Sequence, residues 1–448
     1  MSNLQLTNSL TRKKEIFKPI DNKKISLYAC GPTVYDNPHV GNARSLVVFD
    51  VLYRILRVLY GSNVVYVRNI TDVDDKIIEA AKKSEIAIDK ITSKVTKIFH
   101  ENCESLNCLK PSIEPRATDH IKGMIEMTSS LISKGFAYEN QGHVYFAVNS
   151  FKDYGKLSNK NIDELKAGTR IEVSNLKKDP IDFVLWKPSK NEEPGWESPW
   201  GKGRPGWHLE CSVMSEKYLG KQFDIHGGGL DLIFPHHENE IAQSCSNNNT
   251  KNFANYWVHN GFVTINKEKM SKSIGNIITI SDAVNKYSGQ VVRLALLSAH
   301  YSQPLDWNDK LLSSQVSTLD KWYNIYTEQK ENFSKIDKIL LDDLNTPGYI
   351  AKIHELYNSA SKGNEEKRLE FNQACKLLGL FNVSKKEWES SKKSKISVSE
   401  SYIEKKIKER MKAKKIGNFS LADKIREELL SKGIMIEDQK GKTIWKAK

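Results

Sequence analysis

Cys30, Cys211, His236 and Glu240 are scattered along a chain of 448 residues. Together they offer two thiolates, an imidazole and a carboxylate, a donor set that suits a tetrahedral zinc ion. His236 and Glu240 are four positions apart, so on a helix they share one face. Cys211 reads equally as a buried core thiol, no CxxC pair is present, and His226 and His237 compete as ligands. A second chemistry is written in two loops. The stretch Gly31 to Asn42 leads into an expected helix, whose first N–H groups and dipole can hold a phosphate. Within it Gly41 allows close backbone approach, and His39 can donate to a phosphoryl oxygen. The stretch Lys267 to Gly275 places Lys267, Lys269 and Lys272 within six residues. Flexible ammonium groups can follow the migrating charge of a triphosphate as a transition state forms. A structural turn and an exposed basic loop are the plain alternatives, and the glycine-rich P-loop pattern is absent.

Positioning these groups requires particular elements. Ile25 to Ala29 reads as a buried strand, and Asn42 to about Leu59 as a helix with Leu46, Phe49, Leu52, Tyr53 and Leu56 on one face. Val64 to Val67 reads as a second strand after the Gly61-Ser62-Asn63 break. Strand, helix and strand make a βαβ unit, which binds ligands beyond the carboxyl ends of its strands, where Cys30 to Gly41 would lie. From about Pro111 to Trp200 the pattern changes. A helix near Thr118 to Ser133, a hairpin around Tyr138 and Val144 to Val148, and a Trp-rich stretch suggest an insertion. The α/β pattern resumes from Phe223 to Gly261, and beyond Asn308 the chain reads as helical. The expected parts are 1–115 and 201–310 as two halves of an α/β core, 116–200 as a connective insertion, and 311–383 as a helical bundle. Residues 384–400 read as a Ser- and Lys-rich linker, and 401–448 as a small terminal domain.

Charge points to a polyanionic partner. Lys and Arg number 68 against 55 Asp and Glu, a net +13. Residues 383–448 hold 19 Lys and Arg against 10 Asp and Glu, so nine of those charges sit at the end of the chain. That end reads as an RNA-facing module, or as a solubilising surface. The six cysteines are scattered, the first residues lack the apolar run of a signal peptide, and no stretch reaches the roughly 18 apolar residues of a membrane span. The expectation is a reduced cytoplasmic protein with no membrane contact.

The sequence HVGN at 39–42 resembles the HIGH signature of class I aminoacyl-tRNA synthetases, and KMSKS at 269–273 is identical to that class's second signature. The stretches YACGPTVYD (28–36), GRPGWHLECS (204–212), FDIHGGGLDL (223–232) and FPHHENEIAQS (234–244) resemble cysteinyl-tRNA synthetases. The likeness runs from about residue 5 to the C-terminus. It implies a Rossmann-type parallel-sheet core split by an insertion, then a helical bundle and an anticodon-binding domain at 401–448. It also implies activation of L-cysteine by ATP with Mg²⁺, transfer to the 3′ end of tRNA(Cys), and one Zn²⁺ per chain on Cys30, Cys211, His236 and Glu240. A monomer is expected.

The resemblance assigns His39 and Asn42 to the triphosphate and Lys269 and Lys272 to the departing pyrophosphate. Gly41, Gly227, Gly228, Gly229 and Asp231 line the nucleotide, with Asp231 toward the ribose hydroxyls, although those three glycines read equally as a tight turn. Trp207 and His226 resemble residues around the cysteine pocket. Asn42 departs from the signature, which has a second histidine there. Thiolate coordination would exclude serine far better than an apolar pocket, whose discrimination is about 10- to 200-fold. No editing domain is therefore expected. Trp445 reads either as a stacking surface for bases or as a core residue. Rival readings are a ligase joining cysteine to an amino sugar, which has no need of the basic end, a non-catalytic RNA-binding relative, and a zinc hydrolase, for which no HExxH is present.

Overall fold

The computed structural model describes residues 4–161, 164, 175–272, 274–328, 336–393, 398–439 and 442–447. An antiparallel hairpin, β1 (Gln5–Asn8) and β2 (Lys13–Ile16), precedes β3 (Ile25–Ala29). All five residues of β3 are buried, as in a parallel strand covered on both faces. The helix Val40–Tyr60 crosses to β4 (Val64–Arg68), which pairs parallel to β3. With β9 (Phe223–Gly229) and β10 (Ala254–Asn260) they form a parallel sheet of order β10-β9-β3-β4. The chain leaves β3 toward β4 and returns on the other side as β9. The order therefore reverses between β3 and β9, the crevice where open α/β sheets take their ligands.

Leu46, Phe49, Leu52 and Leu56 of the crossover helix are buried as the spacing predicts. Each such side chain contributes about 1.5–3 kcal/mol by leaving water. Phe49 lies so close to β9 that a Cβ on Gly227 would stand 2.1 Å from its ring, which explains a glycine there. Between the halves of the core, β5 (Ala137–Asn140), β6 (His143–Phe146), β7 (Phe183–Pro188) and β8 (Gly203–Pro205) build an antiparallel sheet in that order. After β10 come β11 (Val263–Ile265), β12 (Glu268–Lys269) and β13 (Leu305–Trp307), which form a small sheet of order β12-β11-β13.

The chain divides into two compact units, Met1–Asp320 with Glu331–Leu380 and Lys321–Lys330 with Phe381–Lys448. Within the stretch read as a linker lies the helix Lys385–Lys393. The second unit also holds the helices Glu400–Lys415 and Phe419–Ser431, then β14 (Ile434–Gln439) and β15 (Lys442–Ala447). That antiparallel hairpin corrects the expectation of helix throughout this end. Gly433, at φ +77°, stops the helix, and Ile434 and Ile436 alternate inward, a two-residue period too short to stand out in the sequence. Trp445 packs against the core of Ile403, Ile407, Ile425, Leu429, Ile434 and Ile436. Among the described residues no helix is long and apolar enough to cross a membrane.

Candidate active site

The donor cluster lies at the β3/β9 crevice. Register places Tyr28 opposite His226 and Ala29 opposite Gly227, and the Cys30 N–H donates to the Gly227 carbonyl at 3.1 Å. Cys30 therefore sits at the end of β3. Cys211 comes from the helix Trp207–Leu219, and Glu240 from the helix Glu238–Asn248 just after His236. The sulfurs of Cys30 and Cys211 are 3.8 Å apart, the edge of a tetrahedron with metal–sulfur bonds of about 2.3 Å. Cys30 Sγ is 3.5 Å from His236 Nε2 and 3.6 Å from Glu240 Oε1. The four donor atoms lie within 4.8 Å of one another, so they fit a single small cation.

Electrostatics agrees with that fit. Burial pushes the Cys30 thiol well up, while the Cys30 S–H beside it draws Cys211 down to about 6. Burial opposes charge on His236, but Glu240 and Cys211 outweigh it and raise its pKa to about 10. Burial likewise opposes charge on Glu240, and His226 and His236 hold it down to about 2. A thiolate at Cys211 and a carboxylate at Glu240 thus stand beside the His236 imidazole, anionic donors that a divalent cation would bind.

Both rival histidines also reach the cluster. His226 Nε2 is 2.8 Å from Glu240 Oε2, with its ring stacked on Trp257 at 4.5 Å. His237 Nε2 is 3.3 Å from Cys30 Sγ, so Cys30, His226, His237 and Glu240 form a second, overlapping donor set. His237 in turn contacts His259 at 2.8 Å, and His208 contacts His236 at 2.9 Å. Burial lowers the pKa of His237 well below its usual value, and those of His208 and His259 to about 3, so these three are neutral. Trp207 lies on His236 with ring centroids 4.1 Å apart, walling the site. Sequence reasoning missed His208, His259, Trp257, Asn69 and Thr71. Asn69 and Thr71 follow β4 directly, and their place just past a parallel strand was the signal for them.

The two loops that the sequence reading gives to the nucleotide meet each other. His39 caps the helix Val40–Tyr60: its Nδ1 accepts from the Asn42 N–H at 3.3 Å, and Asn42 Oδ1 accepts from the His39 N–H at 3.0 Å. This reciprocal pair is a capping box built from His and Asn. It occupies Oδ1 of Asn42 and leaves Nδ2 to donate. A Cβ on Gly41 would lie 2.9 Å from the His39 ring and 3.2 Å from the Met270 methyl, so the first loop touches the second. The segment after the second loop pairs back, with the Val40 N–H on the Ile278 carbonyl at 3.0 Å and the Ile280 N–H on the Pro38 carbonyl at 2.8 Å. Asp306 anchors the β11–β12 hairpin by accepting from Thr264 Oγ1 at 3.0 Å. Lys269 is exposed at the end of β12. Lys272 pairs with Asp36 and stands over the Tyr35 ring at 5.0 Å. Ser273 lies outside the described residues. Gly227 to Gly229 end β9, and Asp231 is exposed in the turn that follows, with its Oδ1 2.4 Å from where a Cβ on Gly229 would be.

Residues 16–317 match the family described as tRNA synthetases class I (C) catalytic domain. The chain is 57% identical over 447 residues to a cysteine–tRNA ligase of Pelagibacter ubique, covering 99% of both. It is 51% identical over 458 residues to one of Rickettsia felis, covering 98% of both. Among solved structures it resembles Mycobacterium tuberculosis methionyl-tRNA synthetase in complex with methionyl-adenylate, with a TM-score of 0.56 and 15% identity over 85% of each chain. It also resembles the leucyl enzyme (LeuRS) of Agrobacterium radiobacter K84 in a ternary complex, with a TM-score of 0.57 and 11% identity over 81% of this chain and 83% of that one. These two distant likenesses carry the fold, a class I α/β architecture. Matched along nearly its whole length at about half identity or more, the chain belongs to the cysteine–tRNA ligase family.

Proposed function

We propose that the chain activates L-cysteine with Mg-ATP and passes the cysteinyl group to the terminal ribose of tRNA(Cys). In the first step the cysteine carboxylate bonds to the α-phosphorus as the bond to the pyrophosphate oxygen breaks, giving cysteinyl-adenylate. In the second, a ribose hydroxyl takes the acyl group and AMP leaves. The observation that carries this reading is the meeting of a two-sulfur donor cluster and both nucleotide loops beyond the carboxyl ends of β3 and β9.

No covalent nucleophile is required, so the side chains work by placement and charge. His39 and Asn42 donate to the triphosphate at the head of the helix Val40–Tyr60. Lys269 and Lys272 neutralise the departing pyrophosphate. Gly41 and Gly227 to Gly229 let the nucleotide approach the backbone, and Asp231 accepts from the ribose hydroxyls. Cys30, Cys211, His236 and Glu240 would hold zinc, with Trp207 and His226 closing the pocket around it. When bound, zinc supplies the preference for a thiolate over a hydroxyl. The basic second unit serves tRNA, the chain acts as a monomer, and the six-part division read from the sequence is retained as part of this reading.

The test is aminoacylation of purified tRNA with cysteine and with serine, before and after chelation. Cysteine charging should fall on chelation and return with zinc, with serine left uncharged throughout. Cysteine charging that survives complete removal of zinc, with Mg²⁺ kept in excess, would overturn the metal's role in selection.

A further inference from the structure

Cys30 and Cys211 belong to different elements, so neither element alone sets the distance between their sulfurs. The segment after β4 lies between them. Asn69, Thr71 and Glu210 are each 1% exposed. Asn69 Oδ1 accepts from the Gly31 N–H at 2.8 Å, and Cys211 Sγ is 3.7 Å from the same oxygen. Asn69 Nδ2 donates to Thr71 Oγ1 at 3.1 Å, and Thr71 Oγ1 donates to Glu210 Oε2 at 2.9 Å. Backbone bonds clamp the same place: the Thr71 N–H donates to the Pro32 carbonyl, and the Val34 N–H to the Thr71 carbonyl, both at 3.1 Å. A Cβ on Gly31 would lie 1.6 Å from the Asn69 carbonyl oxygen, so the two segments are pressed together.

The polar chain thus runs Gly31–Asn69–Thr71–Glu210. Its ends are the covalent neighbours of the two sulfur residues, because Gly31 follows Cys30 and Glu210 precedes Cys211. Apolar packing would fill this space without direction, whereas a hydrogen-bonded strut ties the Gly31 backbone through Asn69 and Thr71 to the buried Glu210 carboxyl at fixed separation. We propose that Asn69 and Thr71 are positioning residues that set the sulfur-to-sulfur distance and with it the metal affinity of the cluster. This rests on the reading of Cys30, Cys211, His236 and Glu240 as zinc ligands. Groups that orient metal ligands typically change affinity by about 10- to 100-fold when removed.

The experiment uses the full chain and the variants Asn69→Ala, Thr71→Val and Thr71→Ser. Zinc affinity is measured by chelator competition, thiolate-to-cobalt absorption after Co²⁺ loading, and melting on metal-stripped protein. Asn69→Ala and Thr71→Val should each weaken zinc by about 10-fold or more and alter the cobalt bands, while Thr71→Ser, which keeps the hydroxyl, stays near the parent. Thr71→Val leaves no void, so it carries the test if Asn69→Ala does not fold. A lower melting temperature with zinc affinity and cobalt bands unchanged would mean a structural role only and would overturn the inference. Zinc bound by the parent and equally by the variants overturns this inference alone. No zinc on the parent overturns the ligand reading and this inference with it.

Discussion

His236 Nε2 faces Glu240 Oε1 at 2.9 Å, one helical turn away, while the other oxygen of the same carboxylate is held by His226 at 2.8 Å. Glu240 is therefore fixed from both sides, with its pKa down to about 2 because these histidines outweigh burial. Glu240→Gln removes the charge at nearly constant volume. Zinc affinity should fall at least about 100-fold, beyond the range for outer-shell groups because a proposed ligand itself would be lost. KM for cysteine should rise while KM for ATP stays within about twofold, since the groups proposed to stabilise phosphate charge lie in other loops. Metal content by mass spectrometry, with cysteine-dependent pyrophosphate exchange, measures both. Full zinc occupancy in the variant would remove Glu240 from the ligand set.

Lys272 rests on Asp36 and over Tyr35, yet its proposed place is on the pyrophosphate. Its side chain and that of Asp36 are 64% and 51% exposed, so the pair is worth at most about 1 kcal/mol. Lys272→Ala should lower the exchange rate by about 100-fold, the usual loss when one charge-stabilising donor is removed. Asp36→Asn should lower KM for ATP by no more than about fivefold, because freeing the lysine removes only that weak competitor. A rise in KM instead would show that Asp36 serves the nucleotide-bound state.

Much of this arrangement was legible because it is local. β3 stands out as five apolar or small residues between Lys24 and Cys30, and the crossover helix by its repeated apolar face. The two loops declared themselves through histidine, asparagine and lysines beside glycine. What was not legible is set by tertiary contact. Asn69 meets Gly31 across 38 positions, and Thr71 meets Glu210 across 139. An Asn and a Thr after a strand look like any turn until the partners are known. Spacing also could not choose between His236 and His237, adjacent residues whose Nε2 atoms both lie within 3.5 Å of Cys30 Sγ. The β14–β15 hairpin escaped for a related reason: short strands with two inward isoleucines carry little signal after two charged helices.

Asn42 separates a helix cap from a phosphate contact. Asn42→Asp keeps an oxygen for the His39 N–H, and a carboxylate in the first helical turn is favourable. The melting temperature should hold or rise slightly. The new charge would face the triphosphate, so KM for ATP should increase at least about 10-fold, the scale of one lost charge-assisted contact of about 1.5 kcal/mol or more. Asn42→Ala should instead lose stability by about 1 kcal/mol through the broken box. Thermal melts and exchange kinetics on both variants decide it, and unchanged ATP kinetics in Asn42→Asp would place that side chain away from the nucleotide.

Asp438 offers a pH test confined to the second unit. Arg410 grips it through two hydrogen bonds at 2.9 and 3.1 Å, Lys414 adds a third at 2.8 Å, and Thr443 a fourth at 2.7 Å. Arg410 above all holds the carboxyl well below the usual range, tying the helix Glu400–Lys415 to β14. A depressed folded pKa means that the ion pair's contribution is complete above the unfolded value of about 3.9 and fades as pH falls through the folded one. Because Asp438 is 43% exposed, that contribution is about 1 kcal/mol at most. In the full chain, Asp438→Asn should speed amide exchange along the helix Glu400–Lys415 by up to about fivefold at pH 7. The ratio of variant to parent should begin to fall toward unity as pH drops below about 4, where the unfolded carboxyl takes up its proton, and should reach unity only below the depressed folded pKa. A ratio that stays constant across that range would mean the side chain acts through packing, since only a titrating pair can lose its advantage in acid.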